Sequence, residues 1–124
     1  MVKRVLLVGL LPKLVDDFHK RLDRPDIELL SGTGVEEVRA AFAQADIEHV
    51  FLGGGLDLRA RLEMIRVVFE SSDKATVHLK DHLSGPEGFV PFVRAVLGGL
   101  DDYEPRESSR AVLRAQRRDL LTED

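Results

Sequence analysis

The chain contains no cysteine. Disulfides, thiolate catalysis and cysteine-based zinc sites are excluded at once. Apolar runs are short, and none approaches the length needed to span a bilayer. Met1-Val2-Lys3-Arg4 leads into Val5-Leu6-Leu7-Val8, which has the outline of a secretion signal. That run is too short, however, and passes into Gly9 instead of a small-residue cleavage site. The expectation is a soluble, cytoplasmic protein with no membrane partner. An excess of basic charge is also missing: 18 Lys and Arg stand against 22 Asp and Glu, for a net charge of -4 and a pI near 5.6. A mildly acidic domain suits nucleic acid poorly, because that partner asks for a basic face. No G-x-G-x-x-G fingerprint follows the first apolar run, and there is no P-loop lysine. The serines show no nucleophile-elbow pattern. Turn and capping roles suit Ser31, Ser71, Ser72, Ser84, Ser108 and Ser109.

What is present has the size and composition of one domain: 124 residues, 44% hydrophobic and 32% charged. Its organising stretch is His49-Val50-Phe51-Leu52-Gly53-Gly54-Gly55-Leu56-Asp57. An apolar run ends in three glycines, and a helical pattern starts just past an aspartate suited to N-capping. Similar runs occur at Val5–Gly9 and Ile27–Leu30, and a less apolar one at Ala75–Leu79. Continuous apolar runs fit strands buried on both faces, so the fourth belongs at an edge.

Helical stripes lie between them. The first is Leu11, Leu14, Val15, Phe18 and Leu22, with Pro12 at its first turn. Ser31-Gly32-Thr33-Gly34 reads as a tight turn, followed by Val35, Val38, Phe42 and Ala45. Glu36 and Glu37 favour that helix's first turn through its dipole. The third stripe is Leu58, Leu62, Ile65 and Phe69. The fourth is Phe89, Phe92, Val93, Val96 and Leu97, ended by Gly98-Gly99. Strands alternating with helices predict an α/β three-layer sandwich. Its parallel sheet has four strands in the order 2-1-3-4.

This order of elements resembles the receiver domain of bacterial response regulators, a flavodoxin-like member of the Rossmann-like folds. Lys3–Leu22, Glu28–Ala45, Asp46–Leu58 and Ala75–Asp81 carry the likeness in hydrophobic pattern and spacing. The family's acidic metal-binding pair falls on Gly9 and Leu10, its phosphoacceptor aspartate on Gly53 and its hydroxyl residue on Lys80. Its fifth strand has no counterpart after Leu100. A Mg²⁺ site needs carboxylate oxygens, which glycine does not supply. The resemblance therefore implies a degenerate receiver-like domain over residues 1–100 that takes no phosphoryl group. Residues 101–124 form a separate, charged C-terminal helical arm. Pro105 could start its helix, and Arg106, Arg110, Arg114, Arg117 and Arg118 make a basic stripe interleaved with Glu107 and Asp119. That interleaving favours a salt-bridged, solvated helix.

The candidate ligand-binding residues are Gly9, Gly32, Gly53, Gly54, Lys80 and His82. Glycines at C-terminal strand ends let a backbone approach an anionic group. Equally, tight turns there can require the positive φ that glycine supplies. Lys80 and His82 could hold an anion or move a proton. The alternative is a solvated loop after an edge strand. His78 and His82 suggest a metal pair only weakly, since they lie on a strand and its loop and no third ligand is evident. No metal and no cofactor is expected. Asp16-Asp17 reads as a solvated helix face.

Two functions fit. One is a non-catalytic regulatory or protein-interaction module. The other is a binder of a small anionic molecule or nucleotide, or an enzyme, with its site at the strand ends. The difference turns on whether that end is open or plugged by Leu10, Leu11 and Leu56, and leucines where the family has polar groups favour the plug. An exposed sheet edge and a wide apolar fourth helix lead to the expectation of a homodimer. It would form through that helix, the Ala75–Leu79 edge or the terminal arm, unless the arm folds back on its own chain.

Overall fold

The computed structural model describes residues 2–103. The predicted terminal helix from Pro105 lies outside the described residues. The chain divides into two compact units, Met1–Arg94 and Ala95–Asp124, and the sheet, with every helix up to the first residues of the last one, belongs to the first. It contains four strands: β1 (Lys3–Val8), β2 (Ile27–Gly32), β3 (His49–Leu52) and β4 (Thr76–Leu79). All pair in parallel, in the order β2-β1-β3-β4. The register sets Val5 beside Leu29 and His49, and Val50 beside Val77. This is the flavodoxin-like α/β arrangement expected from the strand rhythm.

The two central strands have no solvated face. Val5, Leu6, Leu7 and Val8 of β1 and Val50, Phe51 and Leu52 of β3 are fully buried. Parallel strands need helices on both faces, and the chain supplies them. Helices α2 (Val35–Gln44) and α3 (Leu58–Ser71) cover one face. There Val38 and Ala41 of α2 and Met64, Val67 and Val68 of α3 pack with Leu6, Val8, Val50 and Leu52. On the other face, α1 (Val15–Leu22) meets the start of α4 (Phe89–Asp101). The Phe18 and Phe89 rings pack edge to face at 5.3 Å. Phe51 stacks on His78 at 4.9 Å and meets Phe92 edge-on at 6.0 Å.

Four details depart from the sequence reading. Ser31 and Gly32 continue β2 instead of turning, because they pair with Leu7 and Val8. Pro12 opens a short 3-10 helix, Pro12–Leu14, and α1 proper starts at Val15. Helix α4 does not stop at Gly98-Gly99. It runs to Asp101 and closes with Asp102 N–H on the Gly99 carbonyl, 3.3 Å, and Tyr103 N–H on the Leu100 carbonyl, 3.0 Å. The largest departure concerns α3. Three of the four residues of its expected inward stripe face out: Leu58, Leu62 and Phe69 are 72%, 58% and 55% exposed, and only Ile65 packs against the core. The stripe at Met64, Val67 and Val68 is the one that reaches the sheet. In α4, Phe89, Val90 and Val93 are buried.

The turn from α1 into β2 is tied by Arg24, which donates to both Asp26 oxygens at 2.9 and 2.8 Å. That pairing lowers the Asp26 carboxyl from 3.8 to about 2. A depressed carboxyl stabilises the fold above its unfolded value and loses that contribution as pH falls through the folded one. Asp26 is partly exposed, so solvent screening limits the gain to less than about 1 kcal/mol. Asp26→Asn is therefore expected to lower the urea midpoint slightly at pH 6. The gap to wild type should close between pH 4 and pH 2. A gap that is constant across that window would mean the ion pair contributes nothing.

Candidate functional site

The C-terminal ends of the strands frame a cavity of about 520 Å³. It reaches the size range of small-molecule sites. Its floor is Gly9 after β1, Gly53, Gly54 and Gly55 after β3, and Lys80 and His82 after β4. Leu10, Leu11, Leu14 and Phe18 form one wall, and Pro86, Glu87, Phe89 and Val90 form another. Asp17 and Arg21 of α1 stand at its edge. The predicted plug is therefore absent. Leu10 and Leu11 line the space without filling it, because the chain after Gly9 leads away into the 3-10 helix. Leu11 and Leu14 remain 48% and 43% exposed. Only Leu56 lies against Gly9, 3.7 Å from where a Cβ would project.

Five of the six candidate residues meet in this cavity: Gly9, Gly53, Gly54, Lys80 and His82. Gly32 does not line it. It ends β2, where its carbonyl accepts from Gly9 N–H at 2.8 Å. Gly9 takes a φ of 98°, which L-residues rarely adopt. Gly53 and Gly54 do not have positive φ. Gly54 is needed for space instead. A Cβ on Gly54 would stand 2.6 Å from the Asp81 carbonyl oxygen, so the two loops touch backbone to backbone. His82 locks this approach, donating from Nδ1 to the Gly54 carbonyl at 2.9 Å.

Lys80 is the unusual member. The solvated-loop reading holds for its neighbours but not for this residue, which is 2% exposed. Its backbone N–H still continues the sheet, donating to the Leu52 carbonyl at 3.0 Å. Its stem passes near Gly88, where an added Cβ would be in ordinary contact with Lys80 Cε at 3.4 Å and would crowd the Ser84 hydroxyl oxygen at 2.7 Å. The ammonium donates to the Asp81 carbonyl at 3.0 Å. An ammonium has three N–H donors, and a buried charge is costly without a counter-charge. Asp81 does not supply one through its carboxylate, which caps the following turn. Ser84 donates to it from its backbone N–H at 2.8 Å and from its hydroxyl at 2.9 Å. These two bonds are the main cause of its lowered pKa, with the charge of Lys80 a lesser contributor.

His78 belongs elsewhere. It shares the Thr76 hydroxyl with His49, at 2.8 and 2.6 Å, under the Phe51 ring. Burial pushes its pKa below 6.5. The described residues hold no cluster of three metal-ligating side chains. Sequence reasoning missed the wall from α1 and the loop before α4. Leu11 and Leu14 carried a signal for it, since they extend the apolar stripe of α1 beyond the part that can reach the sheet. Asp57, expected as an N-cap, does accept from Ala60 N–H at 2.8 Å and is committed to starting α3.

Compared with known proteins, the chain matches no family model and no curated sequence.

The glycine loop yields a paired test. Gly54→Ala is expected to cost about 2 kcal/mol, because the clash is with backbone and not with a flexible side chain. Gly55→Ala should stay within about 0.5 kcal/mol of wild type, since no atom lies within 4 Å of its added Cβ. Urea unfolding of both variants checks this. Equal stability would mean that the two loops can separate freely.

Proposed function

We propose that this domain is a non-catalytic regulatory module that binds a small molecule with an apolar body and an anionic group. Lys80 is the observation that carries the reading. Its ammonium is buried at a mainly apolar cavity, and among the described residues its hydrogen-bond partner is one carbonyl, that of Asp81. A carboxylate or phosphate would complete its donor set and neutralise its charge. Leu10, Leu11, Leu14, Phe18, Phe89 and Val90 would enclose the apolar part. The position also suits the role, since ligands of open parallel sheets lie beyond the carboxyl ends of the strands. The receiver-like ancestry suggested by the element order is compatible with this. On that reading, the space where a receiver holds its metal and phosphoryl group has become an apolar binding site.

The proposal separates stability from binding. Lys80→Met keeps the stem and removes the buried charge. The free protein is expected to gain about 1 kcal/mol, or roughly 4 °C in Tm. Benzoate and adenosine monophosphate serve as probes of the two anion types. At least one should raise the Tm of wild type and leave Lys80→Met unchanged. Lower stability of Lys80→Met, or equal probe shifts in both proteins, would assign the lysine a structural role instead.

The same reading predicts no phosphotransfer. Glycine and leucine stand at the positions where a receiver carries its carboxylates, and Asp57 is occupied by the α3 N-terminus. Incubation with a small phosphodonor and Mg²⁺ should leave the intact mass unchanged. A stoichiometric gain of one phosphoryl group would overturn this point.

A further inference from the structure

We infer that the ligand of this cavity is an amino acid with an apolar side chain, its carboxylate paired with Lys80 and its ammonium received by His82, Asp17 and Glu87. The inference rests on the reading of Lys80 as the counter-charge of a bound anion. It goes on to the kind of anion and to the second polar group the ligand carries.

The anion is a carboxylate because the floor is poor in free donors. Phosphate sites at strand ends cradle the group with several unpaired backbone N–H groups. Here the first N–H groups past the strands are spent on the sheet. Gly9 donates to the Gly32 carbonyl at 2.8 Å, Gly53 to the Val8 carbonyl at 2.9 Å and Lys80 to the Leu52 carbonyl at 3.0 Å. Among the described residues, the one buried charged side chain is Lys80. A single ammonium matches the single charge of a carboxylate better than the nearly double charge of a phosphate monoester.

The other polar groups of the lining ask for donors. His82 gives its Nδ1 proton to the Gly54 carbonyl at 2.9 Å. A carbonyl only accepts, so in the neutral ring Nε2 is a bare acceptor. Among the described residues, nothing donates to it. Asp17 and Glu87 line the walls and are exposed. Neither carboxylate has an ion pair among the described residues. Arg21 is the other cation of the lining, four residues past Asp17 on α1. Lys80 and Arg21 thus balance Asp17 and Glu87 in charge. A zwitterion keeps that balance, and it brings an anion to the buried ammonium and a cation to the acceptors.

The two charges of the ligand belong close together. The Asp81 carbonyl oxygen accepts the Lys80 ammonium at 3.0 Å and lies 2.6 Å from where a Cβ on Gly54 would project. The Gly54 carbonyl in turn holds the His82 ring. Lys80 and His82 therefore stand on either side of one contact between two loops. An α-amino acid carries its carboxylate and its ammonium on one carbon. Its side chain is then free to lie against Leu11, Phe18 and Phe89.

Isothermal titration calorimetry at pH 8, which favours neutral imidazole, provides the test. Phenylalanine and leucine are compared with their deaminated counterparts, 3-phenylpropanoate and 4-methylpentanoate, and with phenyl phosphate. At least one amino acid should bind about tenfold or more tighter than its counterpart, and tighter than phenyl phosphate. Asp17→Asn combined with Glu87→Gln alters exposed positions. It should weaken that amino acid by about tenfold and leave the counterpart unchanged. Lys80→Met should abolish binding of both. Equal affinities within each pair, tighter binding of phenyl phosphate, or a preference that the double substitution leaves intact overturns the inference while the anion reading stands. Absence of binding by all five compounds overturns both together.

Discussion

Burial of both faces of β1 and β3 is the constraint on which the rest of the fold depends. A parallel pair of this kind can have no solvated side, so every connection has to return over the sheet as a covering helix. The aromatic packing of Phe18, Phe51, Phe89 and Phe92 on one face and the aliphatic cluster on the other follow from that requirement. The crossovers also leave the carboxyl ends of the strands together at one end of the unit. The crevice there is thus a consequence of the topology, and only its lining is specific to this sequence.

The lining is set by one close approach. The Asp81 carbonyl lies against Gly54 on one side and accepts the Lys80 ammonium on the other. A larger residue at Gly54 would meet the Asp81 backbone and push the loop after β4 outwards. Gly54 therefore acts through space, and Gly9 through backbone conformation. A ligand that supplies the missing charge would stabilise this arrangement, and binding would tie the ends of β1, β3 and β4 to α1. Under the proposed function, occupancy would change the rigidity of one end of the domain without requiring chemistry.

The fold was legible because burial on both faces leaves an unambiguous mark. Val5–Val8 and Val50–Leu52 read as strands whichever way the sheet lies, and their alternation with helices limits the topology. The outward turn of α3 was not legible. Leu58, Leu62, Ile65 and Phe69 form a better apolar stripe than Met64, Val67 and Val68. Periodicity alone cannot say which of two stripes meets the core. The candidate site was half legible. Glycines at strand ends marked the floor, since close backbone contact leaves few other residues possible. The burial of Lys80 was invisible, because it goes with tertiary contacts: the loop after β4 lies against Gly54, and the Lys80 backbone N–H is bonded to Leu52. In sequence it looks like one more charged residue in a polar loop.

The central claim is that the Lys80 ammonium serves as the counter-charge for a bound anion. The most direct measurement follows its own signals. In a protein labelled with ¹³C and ¹⁵N, the Lys80 Cε and Hε resonances can be tracked during titration with benzoate and, separately, adenosine monophosphate. The account predicts saturable shifts at Lys80 and at the amides of Gly9, Gly53 and Gly54 with one of these anions, and little change at exposed lysines such as Lys13 and Lys20. Shifts confined to the exposed lysines and arginines, with Lys80 unmoved, would contradict it.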